Sequence, residues 1–170
     1  MADDVNESRT TPSQPTAATA SDGELKERLA AEMRAALKAG EKIKLGALRL
    51  LAASVKNREV ELRRPLNDEE FVEVAAREVK RRKEAIEAYS GAGRDDLVSK
   101  ETEEQHVLET YLPAALSGEE LTALVNEAIS ATGAAGPGDL GKVMGYVMSK
   151  ARGRVDGKEV QMKVRELLAV

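Results

Sequence analysis

The chain has 170 residues and a formal net charge of −4, with 42% hydrophobic, 33% charged and 2% aromatic residues and no cysteine. That length suits one domain or two small ones, and the scarcity of aromatic side chains argues against a β-sandwich. The missing thiols exclude disulfides, a cysteine nucleophile and cysteine-ligated zinc, and the single His106 excludes a multi-histidine metal site.

Residues 1–22 are rich in Thr, Ser, Ala and Pro, with Val5 as the one large aliphatic. Such a stretch cannot bury enough apolar surface to offset chain entropy, so a disordered tail is expected. It has no apolar core of a signal peptide. No apolar run in the chain approaches the roughly 18 residues of a membrane span, so the expected location is the cytoplasm.

Ser21, Asp22, Gly23 and Glu24 have the form of a capping box. Leu25, Leu29, Met33 and Leu37 follow at helical spacing, and Gly40 breaks the helix. A second helix is expected from about Glu41 to Arg63, with Leu48, Leu51, Ala52 and Val55 on one face and Pro65 as its stop. Asn67 to Glu70 cap a third helix, whose stripe is Phe71, Val74, Ala75, Val79, Ile86 and Tyr89. The turn from Ser90 to Gly93 ends it. Arg94, Asp95, Asp96 and Leu97 start a fourth helix running to Leu112, whose middle, Lys100 to Gln105, is nearly all polar. Glu101, Glu103, Glu104 and His106 are therefore expected at the surface.

Pro113 and the Ser117–Glu120 cap mark a boundary. Leu121, Leu124, Val125, Ala128 and Ile129 make the cleanest helical stripe of the chain. After a turn over residues 132–139, Leu140, Val143, Met144, Val147 and Met148 repeat that spacing, and Val160, Val164, Leu167 and Leu168 belong to a last helix. No strand pattern occurs. The expected fold is all-α: a tail over residues 1–22, an N-terminal domain of about four helices over 23–115, and a compact three-helix domain over 116–170.

Charge is unevenly spread. Residues 1–22 carry Arg9 against Asp3, Asp4, Glu7 and Asp22, a net −3. Residues 141–165 carry Lys142, Lys150, Arg152, Arg154, Lys158, Lys163 and Arg165 against Asp156 and Glu159, a net +5. Local patches matter more than the total in attracting a polyanion. Lys142 opens a helix whose free N–H groups favour anions, and Arg and Lys supply charge to phosphate. Gly153 and Gly157 would let the backbone approach a phosphate. The alternative is that Gly141 and Gly145 permit close helix packing and that the cations form a solvated rim. A second basic stretch, Lys80 to Lys83, wraps most of the way round its helix, so Arg77, Lys80 and Arg81 make at most a secondary patch. Adjacent Asp95 and Asp96 point apart, so no metal site is expected there.

Two stretches carry a family resemblance. One is EVKRRKEAIEAYSGAGRDDLVSKETEEQHVLETYLPAALSGEEL, from Glu78 to Leu121, and the other is DLGKVMGYVMSKARGRVDGKEV, from Asp139 to Val160. Both resemble the YqeY-like proteins, whose C-terminal unit is shared with the tail of the GatB subunit of the tRNA-dependent amidotransferase. The similarity spans roughly residues 23–170. It implies the same two-part helical fold, and because the GatB tail is understood to contact tRNA, it implies an RNA-facing patch at Lys142, Lys150, Arg152, Arg154 and Lys158. The ATP- and magnesium-using catalytic portion of GatB has no counterpart here, nor is there an amidase-type Ser-Ser-Lys arrangement or a phosphate-binding G-x-x-x-x-G-K-[ST] loop. The expected function is a non-catalytic module binding tRNA or another structured RNA, without metal or cofactor. The alternatives are a protein-interaction adaptor, or an accessory to an amidotransferase, a carbon–nitrogen ligase by association only.

Overall fold

The computed structural model describes residues 23–168, and every regular element among them is helical. The order is α1 (Glu24–Ala39), α2 (Lys42–Leu62), α3 (Asp68–Gly91), α4 (Asp95–Glu109), α5 (Gly118–Thr132), a 3₁₀ turn (Pro137–Asp139), α6 (Leu140–Ala151) and α7 (Gly157–Leu167). The expected tail lies outside the described residues.

Most boundaries follow from local chemistry. Asn67 accepts from the Glu70 amide while Glu70 accepts from the Asn67 amide, and Ser117 and Glu120 repeat this box at α5. Gly40 closes α1 in the left-handed region at φ 73°, which lets the Glu41 amide return to the Ala36 carbonyl. Two ends differ from expectation. Ser21 and Asp22 of the expected α1 capping box lie outside the described residues, and among those described the N-cap is Gly23, which has no side chain to cap with. Asp68, on the first turn of α3, accepts instead from the Gly23 and Leu25 amides at 3.1 and 3.3 Å. A helix start is thus satisfied across the fold. α4 stops at Glu109, three residues before Leu112. Pro113 disfavours helical backbone just ahead of it, and Tyr111 turns inward to donate to Glu32 at 2.9 Å.

The buried apolar side chains form two clusters. The first joins α1–α4 through Leu29, Leu48, Leu51, Val55, Phe71, Val79 and Leu108, with the Phe71 and Tyr111 rings 5.7 Å apart. The second joins α5–α7 through Leu121, Val125, Val143, Val147, Val160 and Val164. The α6–α7 connection is tied to the segment between α4 and α5: the Leu116 amide donates to the Arg154 carbonyl, and Arg154 Nε donates to the Ala114 carbonyl, both at 2.8 Å.

The polar middle of α4 is not all at the surface. Glu104 is 5% exposed, in contrast to the expectation, and its partner is Arg82 of α3. Glu103 and His106 are exposed as expected.

Candidate functional site

The basic segment does not stand free. Lys142 lies 2.8 Å from Asp139, which raises the lysine pKa and lowers that of the carboxyl. Asp139, the N-cap of α6, also accepts from the Ala135 amide and makes no side-chain bond to the α6 amides, so its carboxylate engages Lys142 and the preceding turn. Lys150 contacts Glu127 and covers the Tyr146 ring at 4.9 Å; its hydrogen bond to Glu127 pushes its pKa well above the ordinary lysine value. Arg152 pairs with Glu69 of α3 and comes within 3.9 Å of Glu73. Arg154 lies 3.7 Å from Glu120, and Lys158 lies 4.0 Å from Glu87. Each of the five cations therefore has an acidic neighbour. These are exposed pairs, worth little individually, and a phosphate oxygen can replace a carboxylate in them.

The glycines take different places. Gly141 and Gly145 are exposed, and a Cβ on either would meet nothing within 4 Å, so neither is a close helix contact. Gly157 is the first residue of α7 and is equally open. Gly153 alone is constrained. Its φ is +76°, and a Cβ there would stand 2.6 Å from Val72 Cγ1 of α3. It serves the seam between the α6–α7 connection and α3, on the edge of a groove between those two elements.

The secondary patch splits between two grooves. Arg77 and Arg81 line one between α2 and α3, where Arg81 donates to Glu78 at 2.8 Å. Lys80 faces the other way, into a groove between α3 and the α6–α7 connection. There it meets Lys83 of its own helix and Arg154 of the α6–α7 connection, over a floor including Ala76, Val79 and Val155. Lys80 and Lys83 are exposed and form no ion pair with a described residue. Asp156 and Glu159 line the same groove, but the Asp156 carboxylate is engaged at the α7 N-terminus, accepting from the Lys158 amide at 2.7 Å.

Sequence reasoning missed two things. Lys83 was not separable from its basic run without knowing which side of α3 is covered. The buried group of Arg82, Glu78, Glu101 and Glu104 did leave a signal. Glu78 and Arg82 continue the Val74–Ala75–Val79 stripe, and Glu101 and Glu104 bridge Leu97 to Leu108 at alternating four- and three-residue steps. Charges in stripe positions on two helices that pack together have to meet.

The family model described as Yqey-like protein matches residues 26–168. Two curated relatives are both named "Altered inheritance of mitochondria protein 41, mitochondrial". The one from Pyrenophora tritici-repentis is 30% identical over 83% of this chain and 79% of its own length. The one from Eremothecium gossypii is 34% identical over 54% of this chain and 52% of its own length. Both relatives are thus mitochondrial by name, and this overturns the expectation of a cytoplasmic protein drawn from the missing signal peptide and membrane span. Among the described residues no helix is long and apolar enough to cross a membrane.

Proposed function

The chain belongs to the YqeY-like family, and from that premise we propose that it is a non-catalytic binding module for structured RNA, tRNA foremost. It holds the sugar-phosphate backbone in the groove between α3 and the α6–α7 connection. The observation that carries this reading is the convergence of unpaired Lys80 and Lys83 with Arg154 on one groove. The resemblance of Asp139–Val160 to the GatB tail supports it further. On this reading residues 23–115 and 116–170 are two helical units with the RNA seated between them. Arg152 and Lys158, now paired with acids of α3, would exchange those partners for phosphates at its edge. Stacking has little to draw on, because Phe71 and Tyr111 are buried, Lys150 covers Tyr146, and Tyr89 is half-buried near the end of α3. The mitochondrial relatives support a mitochondrial setting for this chain as well.

Salt-titrated tRNA binding tests the proposal. Wild-type affinity should fall steeply between about 50 and 200 mM salt. Lys80→Glu with Lys83→Glu should weaken binding at least about tenfold and reduce the salt slope by about 2. These two residues are chosen over Arg154, which also holds the Ala114 carbonyl. Lys142→Glu, outside the groove, should change affinity less than the double substitution does. No binding by the wild type, or unchanged affinity in the Lys80/Lys83 variant, overturns the assignment.

A further inference from the structure

A different surface carries a proposal independent of RNA. α1 and α2 leave a groove between them whose floor is Leu29, Met33, Ala52 and Val55, with Lys26 and Lys56 at its edge. Leu37 stands one turn beyond Met33 and extends the apolar face; it is 61% exposed. An isolated exposed leucine is ordinary. Here it continues an apolar groove, along whose edges cations outnumber the acids Glu27 and Glu59.

On α2, Lys42, Arg49 and Lys56 recur every seven residues, so all three share the edge on which Lys56 lines the groove. On α1, Arg34 and Lys38 follow the groove-lining Ala30 at successive four-residue steps. All five are exposed, and none forms an ion pair with a described residue. Lys26 differs, being neutralised by Glu59 at 2.5 Å. Glu27, one heptad before Arg34, is the acid that stands on the α1 rim. An apolar trough between two cationic rims is the complement of a helix with an apolar stripe and acidic flanks.

We propose that the α1–α2 groove docks an acid-flanked amphipathic helix of a partner protein. From Lys42 to Lys56 is about 21 Å of helix, which accommodates about four turns of partner. The apolar anchors of that helix, at i, i+3, i+4 and i+7, lie over Met33, Leu37 and Ala52, and its acids meet Arg34 and Lys38 on one side and Arg49 and Lys56 on the other. Other occupants fit less well. A second copy related by a two-fold axis across the groove would set basic rims against basic rims. A bilayer calls for a protruding apolar face rather than a trough. An RNA would cover an aliphatic floor that offers it neither hydrogen bonds nor stacking.

The test uses the full chain and a fluorescent synthetic helix of about four turns, with Leu at i, i+3, i+4 and i+7 and Glu on both flanks. A matched peptide carries Lys in place of Glu. The acidic peptide should bind, the basic one should not, and perturbed amide resonances should concentrate on α1 and α2. Leu37→Asp, and Arg49→Glu with Lys56→Glu, should each weaken binding at least about tenfold while the helical circular dichroism spectrum is retained, since all three side chains are exposed. The proposal is overturned if the acidic peptide does not bind, if both peptides bind alike, or if the variants bind as the wild type does. It is equally overturned if Leu37→Asp dissolves a dimer seen by sedimentation, or releases the chain from phosphatidylserine vesicles or from tRNA.

Discussion

Arg82 enters the seam between α3 and α4 with its side chain 13% exposed. Its Nε lies 2.9 Å from Glu104 and 3.5 Å from Glu101, and Nη2 lies 3.9 Å from Glu78. Glu78 also accepts from Ser54 and Arg81, each at 2.8 Å, and Lys100 reaches to 3.6 Å from Glu104. Three acids withdrawn from water are tolerated because this cation faces all of them. The Nε approach is poorly aligned for a hydrogen bond, so the attraction is mainly one of charge. A buried pair adds little over apolar packing, but removing one partner strands the other. Arg82→Met should therefore destabilise the protein by several kcal/mol, on the order of 3–5. Glu103→Ala, at an exposed neighbour, should stay within about 0.5 kcal/mol. Urea unfolding of both variants checks this, and a loss below about 1 kcal/mol for Arg82→Met would mean that the seam is wet.

Helix ends show how far local chemistry reaches. At α3 the capping box is reinforced by Arg64, whose two Nη atoms donate to Glu70 at 2.8 and 2.6 Å. The Arg64 hydrogen bond, joined by the Asn67 amide, lowers the Glu70 pKa to about 2. The folded value lies below the unfolded one, so the stabilisation is complete above the ordinary carboxyl pKa of about 4.3 and disappears as pH falls through about 2. Carboxyl-detected NMR should place the Glu70 midpoint near 2 in the wild type and higher in Arg64→Met. The stability deficit of Glu70→Gln should shrink across the same window; a midpoint near 4.5 in the wild type would dissociate Glu70 from its cap. Glu120 is held low for a related reason, chiefly by the Ser117 amide and then its hydroxyl. Both boxes span four residues and are legible from sequence for that reason. The α1 cap is not, because its acceptor, Asp68, belongs to another helix.

At the scale of the molecule, the two clusters meet where Gly153 lies on Val72, with Arg152 against Glu69 beside it. Gly153→Ala forces an L side chain to φ +76° and drives its Cβ to 2.6 Å from Val72 Cγ1. The backbone alone should cost about 1–3 kcal/mol, and the clash adds to it. Val72→Ala in the Gly153→Ala background should recover the clash but not the backbone strain. A double-mutant cycle by urea unfolding separates the two. Gly153→Ala within about 0.5 kcal/mol of wild type would show that this seam is not formed.

The amino-acid sequence by itself determined the helices, their order and most of their ends, because apolar periodicity, capping residues and glycine or proline stops act within a few residues. It also determined the family, through motifs that are contiguous in the chain. Only the tertiary structure decided which charges are free. Lys142, Lys150, Arg152, Arg154 and Lys158 read alike as one basic segment, yet each is answered by an acid, four of them by residues of α3 or α5. Lys80 and Lys83 are left unpaired in the groove with Arg154, and five cations are left unpaired along the α1–α2 trough. The reason is range: an ion pair needs its partner within about 4 Å in space, whatever the separation along the chain.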